Sequence, residues 1–157
     1  MPPKPTGNLQ NDPTFTAEER LFRRILETHL KPSGEVDPVL INSTTTFDKK
    51  CKQKTPSVVR EKYASKDDAL HPNCADGKST AGQRVYACKV GALPKNLASD
   101  NGSMYDFIPI HDPLPECYAH SLIRSILAGT DPDQYAPPPK VVRRDFRQKF
   151  AAALSPA

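Results

Sequence analysis

His111, Glu116 and His120 fall within one short stretch of this 157-residue chain, with Asp112 beside them. A carboxylate next to an imidazole can do acid–base work, because the ring gains and loses a proton near neutral pH while the carboxylate orients it. If the stretch is helical, Glu116 and His120 are four residues apart and share a face. Arg23 and Arg24, far upstream, could add fixed positive charge to such a site. These five residues are the candidate catalytic set. The plainer role for the same groups is a local ion pair, or a histidine oriented on a backbone carbonyl. The chain lacks Gly-x-x-x-x-Gly-Lys, Gly-x-Ser-x-Gly and Gly-x-Gly-x-x-Gly, so no familiar nucleotide or nucleophile motif supports the catalytic reading.

Cys51, Cys74, Cys88 and Cys117, with His71, His111 and His120, supply potential metal ligands. Their spacing suits no common zinc module: there is no Cys-x-x-Cys or His-x-x-x-His, and a close pair such as His71 to Cys74 cannot by itself close a tetrahedral site. No metal and no cofactor are expected. The cysteines read as buried free thiols acting as small hydrophobes. Their even number also permits a secreted disulfide framework, but no apolar signal-peptide core follows Met1. No apolar run approaches the roughly 18–20 residues of a membrane span, and the expected location is cytoplasmic.

The five cations and one anion of residues 140–149 account for the whole formal net charge of +4. Lys140, Arg143, Arg144, Arg147 and Lys149 therefore form a local basic cluster. Lys140/Arg144 and Arg143/Arg147 are like-charge pairs at i,i+4, each costing a few tenths of a kcal/mol in an isolated helix. An anionic surface would offset that cost, so these five residues are the candidate partner-binding set. An acidic protein surface is the leading partner. Nucleic acid is the alternative, though no aromatic residues interleave with the cations as stacking platforms. A solvated helix face is the plainer reading.

These residues need elements to position them. Thr16 and Glu19 have capping-box spacing, and Leu21, Phe22, Ile25, Leu26 and Leu30 follow at helical intervals, which predicts a helix over 16–30. A strand over 20–26 is the alternative. Short strands are expected at 39–41 and 57–60, with Phe47 as an anchor after the hydroxyl-rich 43–46. Ser65 before Lys66-Asp67-Asp68 predicts a capped helix near 66–71. Alternation in 83–90 and 103–111 predicts two further strands, with Pro109 favouring an edge. Residues 117–129 read as a helix ending at Gly129, with a strand at 118–123 as the alternative. Prolines stiffen a linker over 130–139, and Val142, Phe146, Phe150 and Ala153 make the stripe of a helix over 140–154.

The fold expected is α+β: a small, mainly antiparallel sheet from 57–60, 83–90 and 103–110, flanked by helices near 16–30 and 140–154. Residues 1–14 would be a disordered tail, 15–129 the α+β domain, 130–139 the proline-rich linker and 140–157 the basic amphipathic helix. The leading function is a non-enzymatic interaction or accessory protein. Alternatives are a small enzyme with His/Glu acid–base residues and a nucleic-acid-associated protein.

Several anchors together resemble a loose set of small bacterial proteins with no established activity. They are Leu21 with Arg23-Arg24-Ile25, the Ser/Thr run before Phe47, Ser57-Val58, Lys66 through His71, Asp112-Pro113-Leu114-Pro115-Glu116, and Ala119-His120. The likeness covers residues 20–124 and implies a conserved small domain of bacterial or phage-like origin. A fainter similarity is to ADP-ribosyltransferases, with Arg23 or Arg24, Ser43 to Thr46 and Glu116 as the matching positions. It requires residues 20–26 to be a strand, and the expected Glu/Gln-x-Glu pair is absent.

Overall fold

Residues 20–26 are a strand, β1 (Arg20–Leu26), and not part of a helix. The helical pattern was misleading because both faces of β1 are covered. Leu21 and Ile25 point into one apolar cluster and Phe22 into a second on the opposite face, so apolar residues stand next to one another. Thr16 and Glu19 form no capping box, since the Glu19 carboxylate is bound to Arg60 instead.

The computed structural model describes residues 12–39, 47–48, 53–54, 56–75 and 77–157. After β1 come β2 (Phe47–Asp48) and β3 (Gln53–Lys54), which pair with each other, then β4 (Ser57–Arg60) and the short helix α1 (Lys66–Ala69). Ser65 caps α1 in a complete capping box with Asp68, as the sequence predicts. There follow β5 (Gln83–Lys89), β6 (Leu97–Ala98), β7 (Met104–His111) and β8 (His120–Leu127). The long helix α2 (Lys140–Ala153) and β9 (Ser155–Pro156) end the chain. Residues 40–46 lie outside the described residues, and with them most of the strand expected at 39–41.

The main sheet has seven strands in the order β6-β7-β8-β4-β1-β5-β9, and the pairs between neighbours are antiparallel. It is a mainly-β half-barrel with one long C-terminal helix. The expected antiparallel sheet is present, but the expected pair of flanking helices is reduced to α2. The helix read over 117–129 is β8. It too is buried on both faces, so Leu122, Ile123 and Ile126 imitate helical spacing. Gly129, with φ +78°, serves the turn after β8 and not a helix end.

Pro109 sits opposite Ile123, whose amide donates across the other side of β8 to the Pro56 carbonyl. The missing amide of Pro109 therefore lies on the outer side of β7. There the two-residue β6 pairs only with Met104 and Tyr105, so this length of β7 is an edge.

The sheet splits at one place. β1 pairs with β4 only at Leu21↔Arg60 and Phe22↔Val59. Beyond that point β1 continues along β5 to Leu26↔Gln83, while β4 continues along β8 to Ser57↔Leu122. A cavity occupies the wedge between them.

The stripe of α2 packs where the sequence predicts. Val142, Phe146 and Phe150 are fully buried, and Phe146 stacks between Phe107 and Phe150. Residues 130–139 do not hold the helix away from the body. Ser125 and Ala136 exchange hydrogen bonds, and Arg124 donates to the Pro132 carbonyl, so the segment lies against β8. Among the described residues no helix is long and apolar enough to cross a membrane.

Candidate functional site

The tight turn Asp112-Pro113-Leu114-Pro115-Glu116 returns the chain from β7 to β8, closed by a bridge between Leu114 and Cys117. It sets Asp112 opposite His120, with the Asp112 amide donating to the His120 carbonyl at 3.1 Å. The His120 ring lies on the same face of the sheet as Val59 and Ser57, its neighbours on β4. Its Nδ1 is 3.0 Å from the Asp112 carbonyl oxygen and 3.1 Å from Asp112 Oδ2. Its Nε2 is 3.3 Å from Ser57 Oγ. Both neighbours of Nδ1 are acceptors, so the proton of a neutral ring belongs on Nδ1. Nε2 is then left as the acceptor for the Ser57 hydroxyl.

Ser57 and His120 open onto the cavity in the split sheet, about 210 Å³ in volume. Phe22, Ile25 and Leu26 give it apolar walls, and Arg23, Arg24 and Gln83 add polar ones. Arg23 Nη1 donates to the Ser57 carbonyl at 2.6 Å, at the level where the β1–β4 ladder has stopped. Burial, and then the charge of Arg24, bring the Arg23 guanidinium down to about 10. Arg24 Nη1 donates to the carbonyls of Ala69 and Cys74, fastening β1 to α1 and the turn after it.

Cys74 and Cys117 are disulfide-bonded, which corrects the expectation of free thiols at both positions. The bridge holds the Cys74 turn, with its carbonyl on Arg24, against the approach to β8. Cys88 is a buried free thiol, pushed up to about 12 by burial, and is inert as a nucleophile. Cys51 lies outside the described residues. Among those residues no three His, Cys, Asp or Glu side chains group so as to hold a metal ion.

The five catalytic candidates divide. Arg23, Arg24 and His120 converge on the cavity. Glu116 is exposed and lines a second cavity of about 310 Å³ with Asp68, His71 and Tyr118. His111 is buried in an aromatic clamp, its ring centre 5.7 Å from that of Tyr63 and 4.9 Å from that of Tyr118. Neither of its ring nitrogens has a hydrogen-bond partner among the described residues. Burial, and then the Arg60 charge, lower its pKa.

Arg60 itself has no exposed surface. It makes two 2.9 Å hydrogen bonds to Glu19 and one of 2.7 Å to Asp12, and lies over the Phe15 ring at 3.6 Å. Burial would raise the Asp12 carboxyl, but hydrogen bonds from Thr14 and Arg60 bring it down to about 2. Asp12 and Thr14, in the expected tail, are thus anchored on β4. Residues 1–11 lie outside the described residues.

On α2, Lys140, Arg144 and Lys149 are exposed, while Arg143 and Arg147 are half-buried. Arg143 donates to the Pro138 carbonyl, and Arg144 lies 3.9 Å from Asp145.

Sequence reasoning noted Asp112 only as a neighbour and missed Ser57 and Gln83 as site residues. The turn signal in Asp112-Pro113-Leu114-Pro115 could have found the first: a tight return puts Asp112 opposite His120 once 120–127 is read as a strand. Ser57 and Gln83 carry no local signal, because only strand order brings them to one cavity.

Fold and site together define a class: an antiparallel β half-barrel with a small polar cavity where two of its strands part. The chain matches no known protein family, no curated protein and no solved structure. The strand that the ADP-ribosyltransferase likeness requires is present as β1. Glu116, however, faces the other cavity, and Ser43 to Thr46 lie outside the described residues.

Proposed function

We propose that this protein is a small serine hydrolase acting on short esters, with Ser57 as nucleophile, His120 as general base and Asp112 as the group that orients the ring. One observation carries the reading: the two nitrogens of His120 bridge Asp112 and Ser57, at 3.1 and 3.3 Å, at the wall of a cavity. Nucleophile, base and orienting carboxylate in that sequence of contacts is the arrangement that activates a hydroxyl.

In the first step Ser57 Oγ attacks the ester carbon as its proton passes to His120 Nε2. The Asp112 carboxylate steadies the imidazolium, and the proton then goes to the departing alkoxide, which leaves as the alcohol. Water repeats the sequence on the acyl-serine, releasing the carboxylic acid and restoring Ser57. The guanidinium groups of Arg23 and Arg24 in the cavity walls favour the negative charge that develops on the carbonyl oxygen.

Labelling with a fluorophosphonate tests this. The expected result is one phosphonyl adduct on Ser57, lost in Ser57→Ala and slowed at least a hundredfold in His120→Ala. A folded protein that stays unlabelled overturns it.

The Cys74–Cys117 bridge favours an oxidising compartment over the reducing cytoplasm. The exposed Lys140, Arg144 and Lys149 favour a second reading, in which the outer face of α2 meets an acidic protein surface. Nucleic acid is the other polyanion such a face would suit.

A further inference from the structure

Gln83 opens β5 and pairs with Leu26, at the far side of the cavity from Ser57. Its Oε1 is buried and has no hydrogen-bond partner among the described residues. A buried carbonyl oxygen without a donor is costly, and a cavity wall is where a ligand can supply one.

β4, β1 and β5 are consecutive in the sheet, and Ser57 lies beyond the last β1–β4 pair while Gln83 is level with Leu26, so the two are at least two strand spacings apart and two residues offset, about 12 Å or more between backbones. Between them the walls offer the carbons of Phe22, Ile25 and Leu26. The cavity thus has a nucleophile at one end, an apolar middle and an unmet acceptor at the other. Arg23 and Arg24 in the same walls disfavour an ammonium group and favour a neutral donor, of which a hydroxyl is the simplest that an acyl chain carries.

Resting on the Ser57 relay, we propose that Gln83 is the specificity-determining residue of this cavity, accepting a hydrogen bond from a terminal hydroxyl of the substrate's acyl chain. The preferred substrate class is then a short ω-hydroxyacyl ester. An extended chain of about six carbons spans the gap, at roughly 1.2 Å of advance per bond plus the reach of the Ser57 and Gln83 side chains.

Binding separates this from the chemistry. In the full-length Ser57→Ala protein, calorimetric titration with 6-hydroxyhexanamide should give an affinity about tenfold above that for hexanamide, the worth of one net hydrogen bond. Gln83→Met should erase the preference. Gln83→Glu keeps an acceptor of the same reach and should retain it, which guards against a misfolded Met variant. Equal affinities for the two amides in the Gln83 protein, or no binding of either, overturn the assignment. Nitrophenol release from p-nitrophenyl hexanoate by the wild-type chain reads the relay alone. Its absence alongside an intact hydroxyl preference would remove the serine chemistry and leave Gln83 as a ligand anchor.

Discussion

Asp112 holds His120 twice through the same ring nitrogen. Its backbone carbonyl oxygen is 3.0 Å from Nδ1 and its carboxylate Oδ2 is 3.1 Å away. Orientation and charge are therefore supplied by separable parts of one residue. Asp112→Asn removes the charge and leaves the carbonyl. The Nδ1–H tautomer should persist in the variant, visible in the ¹⁵N shifts of the ring. Fluorophosphonate labelling of Ser57 should slow by much less than the roughly ten-thousandfold expected where loss of the carboxylate also reverses the tautomer. A tautomer switch in Asp112→Asn would show that the carboxylate alone sets the ring.

The Cys74–Cys117 bridge joins positions 43 residues apart. A loop of that size stabilises the fold by about 4 kcal/mol in the chain-entropy account. Reduction, or Cys74→Ser with Cys117→Ser, should lower the denaturation midpoint by a corresponding amount. The turn would also loosen its carbonyl from Arg24, so the cavity wall should gain amide exchange at Cys74 and Ala75 before the sheet does. An unchanged midpoint in reductant would remove the bridge from the account of stability.

His111 makes the fold acid-sensitive. Burial and the Arg60 charge depress its pKa below the ordinary 6.5, while Asp12, Asp112 and Glu19 pull the other way and Tyr63 and Tyr118 supply ring contacts. With the folded-state pKa below the unfolded one, the contribution of the neutral ring is complete above the ordinary value and declines as pH falls below it. Asp12, held at about 2 against an ordinary 3.8, adds stability that is complete above 3.8 and lost on the way down to about 2. Two successive losses on acidification are expected. His111→Phe keeps the aromatic clamp and should abolish the first, which urea midpoints on either side of the ordinary histidine pKa would reveal. Parallel pH profiles for variant and parent would contradict it.

The two misread segments share a physical cause. Residues 83–89 were legible because polar Gln83, Arg84 and Lys89 bracket a short run, although Tyr86, Ala87 and Cys88 are buried on both faces there too. β1 and β8 are buried on both faces, so their apolar residues run together and imitate a helix. Thr16 and Glu19 strengthened the error, because a capping-box spacing does not reveal that Glu19 is needed by Arg60, 41 residues away. Local chemistry was legible where it stayed local, as in the Ser65–Asp68 cap and the α2 stripe. The half-site His120, Arg23 and Arg24 could be named from residue type. Ser57 and Gln83 could not, since strand order alone makes them neighbours of that set.

Glu19 and Arg60 form an ion pair that is costly to break from one side. Glu19→Ala leaves the Arg60 guanidinium buried against the Phe15 ring with Asp12 as its remaining anion. A loss of about 3–5 kcal/mol is expected, as for a buried charge stripped of its partner. Arg20→Ala, by contrast, breaks the exposed pair with Glu61 and a contact of the guanidinium over the Phe22 ring at 5.2 Å, and its cost should stay below about 2 kcal/mol. Chemical denaturation of the two variants compares them directly, and similar losses would refute the ranking.

The same contrast divides α2 between fold and partner. Its inner stripe is core: Phe146 is fully buried between Phe107 and Phe150, and Phe146→Ala should cost about 3–5 kcal/mol. Removing 140–157 should therefore unfold the chain, so deletion cannot report on the basic face. Reversal of the exposed charges can. Lys140→Glu, Arg144→Glu and Lys149→Glu sit on the exposed face; the first two replace one like-charge pair with another and the third sets an acid four residues after Asp145, so stability should move by no more than about 0.5 kcal/mol per site. If α2 docks on an acidic surface, the triple variant should lose retention on an immobilised polyglutamate matrix at low salt while its denaturation midpoint holds. Retention of the wild-type chain should itself fade as ionic strength rises, since exposed charges are screened beyond about 8–10 Å at physiological salt and above. Equal retention of both proteins would leave the cations of α2 as a solvated face.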